Sequence, residues 1–96
     1  MPWPTMAFNP RQQTKVQYLV RLRERYRGAV KMEACRLANR MLRHLADGDV
    51  TQAQMLNAWN MTQAEWDVKA VALQAKANKW IAYKVALASA DNEGQD

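Results

Sequence analysis

Helix breakers are scarce in this chain. Three glycines and three prolines serve 96 residues, and Pro2 and Pro4 fall within the first four positions. Long stretches therefore run without interruption, and the Ala, Gln, Lys, Arg, Leu and Met that fill them favour helix. Cysteine occurs once, as Cys35. That excludes an intramolecular disulfide and fits a reducing compartment. Histidine also occurs once, as His44, with no second ligand at a useful spacing. No cysteine pair exists for zinc. Asp47-Gly48-Asp49 is too short for a calcium loop, and no Gly-rich phosphate loop is present. Nothing assembles an acid, a base and a nucleophile. The chain therefore reads as a non-enzyme, without cofactor, metal or small-molecule substrate. Apolar runs are short too. The longest, Trp80 to Ala90, is broken by Lys84 and cannot span a bilayer. The opening Met1-Pro2-Trp3-Pro4 has no basic segment before an apolar run, so it does not read as a secretory signal. The expected location is the cytoplasm, or a particle assembled inside a cell, with no membrane partner.

What is present is one small domain. Nearly half the residues, 49%, are apolar, which is globular rather than disordered composition. A chain of this size buries roughly 60–70% of its unfolded surface, so its core is thin.

Charge is distributed unevenly. Residues 1–48 carry ten basic side chains against Glu24, Glu33 and Asp47. Residues 49–96 carry four lysines against six acids. The first half is therefore strongly positive and the second mildly negative. Such asymmetry points to a polyanion or an acidic protein as partner, or to attraction between the halves of neighbouring subunits.

Asn9-Pro10 is a helix start, with a capping side chain followed by proline at the first helical position. From there Val16, Leu19, Val20, Tyr26, Val30, Ala34, Leu37, Ala38, Met41 and Leu45 fall on one stripe at the helical period. The stripe keeps its phase across Gly28, and no strong cap follows that glycine. The expectation is one long helix ending at Gly48, with two helices meeting at Gly28 as the alternative. Arg11, Arg21, Arg25, Arg36, Arg40 and Arg43 then project within roughly a 100° sector opposite the stripe. Guanidinium groups form two-pronged bonds to phosphate or carboxylate that an ammonium does not. These six are the candidate contacts to nucleic-acid backbone or an acidic protein surface. Arg23 and Arg27 fall nearer the stripe. Residues 1–9 read as an extended arm, with Trp3 and Phe8 as pins onto the body or a partner.

Two copies of one signal follow, in Val50 to Met55 and Met61 to Trp66. Each has a threonine cap, a Gln or Glu three residues on, and apolar residues placed for a hydrophobic staple. They predict a short helix over about Gln52 to Trp59 and a long one over about Gln63 to Ala88, followed by an acidic frayed tail at 91–96. In the long helix Trp66, Ala70, Leu73, Ala77, Trp80, Lys84 and Leu87 alternate at spacings of four and three. That is a heptad seam, for packing on the first helix or for joining subunits. The tryptophans at 59, 66 and 80 read as core, not as a stacking surface. His44 reads as a charge partner for its helix C-terminus, and Cys35 as a small packing residue.

The segment Gln52 to Lys69 resembles the helix-turn-helix of bacterial and phage DNA-binding proteins. Met55, Trp59, Met61 and Trp66 stand where that motif wants apolar residues, and Asn60 stands where it usually has glycine. The resemblance implies a recognition helix starting at Thr62. The pattern departs at Leu56, where the motif is small. It departs again at the helix start, where Glu65 and Asp67 precede the first base, Lys69.

The sequence thus reads as an all-α bundle over residues 10–90. A long basic N-terminal helix packs antiparallel to a long C-terminal helix, and a short helix bridges them. The expected function is a non-catalytic binding or assembly protein that docks arginines on a polyanion and self-associates through leftover apolar surface. Size and basicity suit small phage or mobile-element proteins, including virion components. The alternatives are a helix-turn-helix regulator, or a small inhibitor of a nucleic-acid-handling complex.

Overall fold

The computed structural model describes residues 9–94, with side chains through residue 90. It is all-α: α1 spans Pro10–Gly28, α2 Lys31–Asp47, α3 Gln52–Trp59 and α4 Gln63–Gly94. The expected arm at Met1–Phe8, with Trp3 and Phe8, lies outside the described residues.

Capping side chains set three of the helix starts. The Asn9 side chain accepts from the Gln12 N–H at 2.9 Å, and Gln12 Oε1 accepts from the Asn9 N–H at 2.8 Å. Thr51 and Gln54 exchange the same pair of bonds at 3.1 and 2.7 Å. Thr62 and Glu65 do so at 3.2 and 2.9 Å. Each box satisfies N–H groups that the first helical turn leaves without partners. Asn60 ends α3 in the left-handed conformation, at φ 54°, which asparagine tolerates better than most residues.

The single long N-terminal helix does not form. The chain breaks after Gly28, where Ala29 and Val30 are extended (ψ 154° and 156°). The physical reason is tertiary. A continuous helix would hold its apolar stripe in one line, with only α4 to cover it. Folding back at 29–30 lets α1 pack on α3 while α2 packs on α4, around one shared core. Leu19 and Leu22 of α1 join Leu37, Ala38 and Met41 of α2 in one buried cluster. The phase of the stripe is the same whether or not the helix folds, so periodicity carries no sign of the break. A cost remains at Lys31, which holds φ at 55°, a conformation that disfavours side chains with a Cβ. Lys31→Gly is therefore expected to raise stability by about 0.5–1 kcal/mol. Thermal unfolding followed by helix ellipticity measures it.

Packing follows from that hairpin. Lys15 Nζ donates to the Asp49 carbonyl at 2.6 Å, and Arg23 Nη1 donates to the Ala58 carbonyl at 2.6 Å. These two ties, eight residues apart on α1 and nine apart on the segment they reach, show that α1 and α3 run in the same sense. Trp59 then sits against Tyr26 and Trp66, with ring centroids 6.0 and 6.2 Å away. So α4 starts beside the α1–α2 joint, where α2 also starts. Further along, Trp80 adjoins the stretch of α2 from Arg36 to His44. Hence α2 and α4 advance in the same sense. The main partner of α4 is α2, while α1 packs chiefly on α3. This corrects the expected antiparallel pairing of one long first helix with the last.

The heptad seam is used along part of its length. Trp66, Leu73 and Ala77 are buried, Ala70 and Trp80 are half-buried, and Lys84 and Leu87 are exposed. The helix continues to Gly94, six residues past the expected end at Ala88. Among the described residues no helix is long and apolar enough to cross a membrane.

Candidate anion-binding groove

The break at Ala29 divides the six predicted arginines between two helices. Arg11, Arg21 and Arg25 lie on α1, and Arg36, Arg40 and Arg43 lie on α2. The structure still brings Arg25 and Arg36 together, since both reach Glu33. Arg11, Arg21, Arg25, Arg40 and Arg43 are exposed, and Arg36 is half-buried. Of the other basic residues on α1, Arg23 is committed to the Ala58 carbonyl and to Glu24. Arg27 lies 5.8 Å from the Trp59 ring centre. Both were expected near the apolar stripe, and both do structural work there.

On α2 the spacing 36, 40, 43 places three guanidinium groups on one side of a single helix. They line an open groove of about 430 Å³, completed by Asn39, His44, Tyr18, Trp80 and the carboxylates of Asp47 and Asp49. The acids are not evenly engaged. Glu33 makes a two-pronged pair with Arg36, Nε to Oε1 at 2.6 Å and Nη2 to Oε2 at 3.0 Å. Its Oε2 also lies 3.8 Å from Arg25 across the helix joint. Arg43 meets Asp47 only at 4.0 Å. Arg40 has no ion-pair partner within that distance among the described residues. The groove therefore presents one uncommitted guanidinium, one loosely held, and one locked on Glu33.

The Arg36 hydrogen bond holds the Glu33 carboxyl below the usual carboxylate range, assisted by the charges of Arg36, Arg25 and Arg40. The same bond raises Arg36 further. The folded state thus binds a proton at Glu33 less readily than the unfolded chain does. Its stabilising share is present above the ordinary carboxylate pKa and is lost as pH falls through the depressed folded value. Glu33 is solvent-exposed, so the effect on stability is small. Protonation also frees Arg25 and Arg36. Titration of the Glu33 carboxyl carbon by NMR is expected to give a midpoint below that of an unpaired glutamate, and Arg36→Gln is expected to raise it.

One arrangement was invisible in the sequence. The Tyr18 hydroxyl lies 2.9 Å from His44 Nε2, and His44 Nδ1 lies 3.2 Å from Asp49 Oδ2. The rings meet edge-on at 5.3 Å. Three elements contribute one residue each, and separations of 26 and 5 positions carry no motif. The row ties α1 to the end of α2 and to the α2–α3 turn, where Gly48 takes φ 80° and caps the helix. His44 is thus a bridge between elements as well as a residue of a helix C-terminus. Among the described residues no cluster of His, Cys, Asp and Glu is arranged to hold a metal ion.

Trp80 enters the groove from α4. Its ring packs with Tyr83 at 5.8 Å, and Lys84 Nζ lies 5.6 Å from its centre. Trp59 and Trp66 are buried as expected of core residues; half-buried Trp80 is the departure. Cys35 is buried at the α2–α4 contact, beside a second groove bordered by Lys31, Lys76 and Lys79.

In the helix-turn-helix-like segment, Met55, Leu56 and Trp59 are buried, so the apolar positions of the pattern are used for packing. The start of α4 exposes Thr62, Gln63, Ala64, Glu65 and Asp67. Gln63 is bonded to Asp67 at 2.8 Å, and Lys69 lies over the Trp59 ring at 5.5 Å. Comparison with protein-family models, with characterised proteins and with solved structures finds no match to this chain.

Proposed function

We propose that this protein is a non-catalytic helical binding protein that docks the Arg36–Arg40–Arg43 side of α2 on a nucleic-acid backbone. One observation carries the reading. Three arginines on one helix line an open groove, and two of them are not tightly paired with an acid. Phosphates replace the weak Asp47 contact and accept two-pronged hydrogen bonds from the Arg40 N–H groups. Trp80 at the edge of the same groove gives an unpaired base a surface to stack on, which favours a single strand over a duplex. Asp47 and Asp49 close one end and repel phosphate, so the strand is expected to enter from the Arg36 side. Arg11, Arg21 and Arg25 supply longer-range attraction. The Tyr18–His44–Asp49 row acts here as a clamp between elements, not as a relay.

The test is a binding titration with single-stranded and duplex oligonucleotides. Trp80→Ala is expected to weaken the single strand by about 1–3 kcal/mol and the duplex hardly at all. Equal loss on both would remove the stacking part of the reading. Sequence-dependent binding abolished at Gln63 or Lys69 would favour a helix-turn-helix regulator instead. Binding to an acidic protein but not to nucleic acid would make the groove a protein-docking site.

A further inference from the structure

A second groove, apart from the arginines, opens between the start of α2 and the middle of α4. Lys31, Met32 and Cys35 line it from α2, and Ala72, Ala75, Lys76 and Lys79 from α4. Its volume is about 530 Å³, and it shares no lining residue with the arginine groove. The uncharged part of the lining is apolar and mostly small. The charged part is all of one sign. None of the three lysines is ion-paired among the described residues. Lys76 Nζ rests 5.9 Å from the Tyr26 ring centre. The nearest acid on this side of α4, Glu65, stands before Val68 and is bonded into the helix cap with Thr62. The apolar surface continues beyond the groove. Val68 is 74% exposed, and Val30, next to Lys31, 71%. By the helical period Val68, Ala72, Ala75, Lys76 and Lys79 fall within a sector of roughly 100°, turned away from Leu73 and Ala77. That stripe is about 16 Å long by the helical rise, three turns of helix.

Two packed helices with small residues along the trough between them offer a seat to a third. We infer that this groove docks an acidic amphipathic helix of a partner protein. Alanine at 72 and 75 lets the incoming helix approach closely, and its apolar side chains meet Met32, Val68 and the alanines. Lysines on both walls select acids on both flanks of the incoming apolar stripe. Charge complementarity separates this occupant from the others. The single carboxylate of a fatty acid meets one lysine and leaves two unanswered. A nucleic-acid backbone meets the lysines but brings no apolar side to cover Val68 and Met32. An acidic amphipathic helix answers both features over the same three turns. The contact is short, so it belongs with the small, transient interfaces, and the affinity is a micromolar one. It does not rest on what the arginine groove binds.

The probe is a synthetic helical peptide of about 15 residues, capped at both ends. It carries leucine and alanine at i, i+3, i+4 and i+7, with glutamate on both flanks of that stripe. Fluorescence anisotropy of the labelled peptide reads its binding to the intact chain, and micromolar binding is expected. A scrambled peptide of the same composition keeps the charge but loses the apolar side, and is expected to bind at least about tenfold more weakly. Replacing Lys31, Lys76 and Lys79 together by glutamine is expected to weaken the designed peptide about tenfold. Ala75→Glu, which sets an acid in the groove, is expected to abolish binding. Replacing Arg36, Arg40 and Arg43 by glutamine is expected to leave it within about twofold, because the two grooves share no residue. Helix ellipticity checks that each variant remains folded. No binding up to near-millimolar peptide overturns the inference. So does equal binding of the scrambled peptide, binding indifferent to Ala75→Glu, or a loss that follows the arginines instead of the lysines. Displacement of the peptide by micromolar dodecanoate overturns it too, and would make the groove a seat for a single-carboxylate amphiphile.

Discussion

Leu73→Ala is expected to lower the stability of this protein by about 3–5 kcal/mol. Leu73 is fully buried, at 0% exposure, where α4 meets α2. Its neighbours in the cluster, Leu37, Ala38 and Met41, are on a helix anchored at both ends. They have little freedom to collapse into the space, so the loss includes a cavity as well as the removed methyl groups. A domain of this size has a total stability of about 5–14 kcal/mol. The substitution therefore removes a large fraction, and the unfolding temperature is expected to fall by about 15 °C or more. Leu87→Ala is the control. Leu87 lies two heptads further along the same helix but is exposed, and at dilute concentration its loss is expected to cost under about 0.5 kcal/mol. Urea unfolding of both variants reads the contrast. Equal costs in the monomer would mean that the predicted seam is engaged along its whole length, against the packing described here.

The second large effect concerns binding. Replacing Arg36, Arg40 and Arg43 together by glutamine is expected to weaken nucleic-acid affinity about a hundredfold at moderate salt, near 3 kcal/mol for three charge-assisted contacts. The loss is expected to be similar on all sequences, because phosphate contacts carry no sequence information directly. The fold is expected to survive, since Arg40 and Arg43 are exposed and Arg36 exchanges only a surface pair with Glu33. Arg11, Arg21 and Arg25 changed together serve as the comparison. They lie on α1, outside the lining of the groove, and are expected to cost less, with Arg25 the largest part because it shares Glu33 with Arg36.

The helix ends were readable because capping is local chemistry. Asn9, Thr51 and Thr62 each sit three residues from the side chain that answers them, so the pattern survives in one dimension. Asn60 was readable for the same reason. The fold-back after Gly28 was legible only as the alternative of two helices meeting at that glycine, because neither Ala29 nor Val30 is a breaker and the apolar stripe keeps its phase through it. What decides there is the joining of Leu19 and Leu22 with Leu37 and Met41 in one buried cluster, between residues far apart in the chain. The candidate site shows the same division. Arg36, Arg40 and Arg43 share a helix side at spacings of four and three, which periodicity reveals. Their separation from Arg11, Arg21 and Arg25 depended on the hidden turn. The arrival of Trp80 and the Tyr18–His44–Asp49 row depended on how α1, α2 and α4 come together. The heptad from Trp66 to Leu87 was legible as a pattern, but nothing in its spacing says that α2 runs out before Leu87.

The central claim is that the α2 groove grips phosphates. The most direct measurement is the affinity of the intact chain for a single-stranded oligonucleotide across a range of salt, beside the Arg36, Arg40 and Arg43 triple variant. The account predicts a steep linear fall of log affinity with log salt, with a slope about two units shallower in the variant, near 0.7 per lost phosphate contact. No binding at low salt, or the same slope in both proteins, would contradict it.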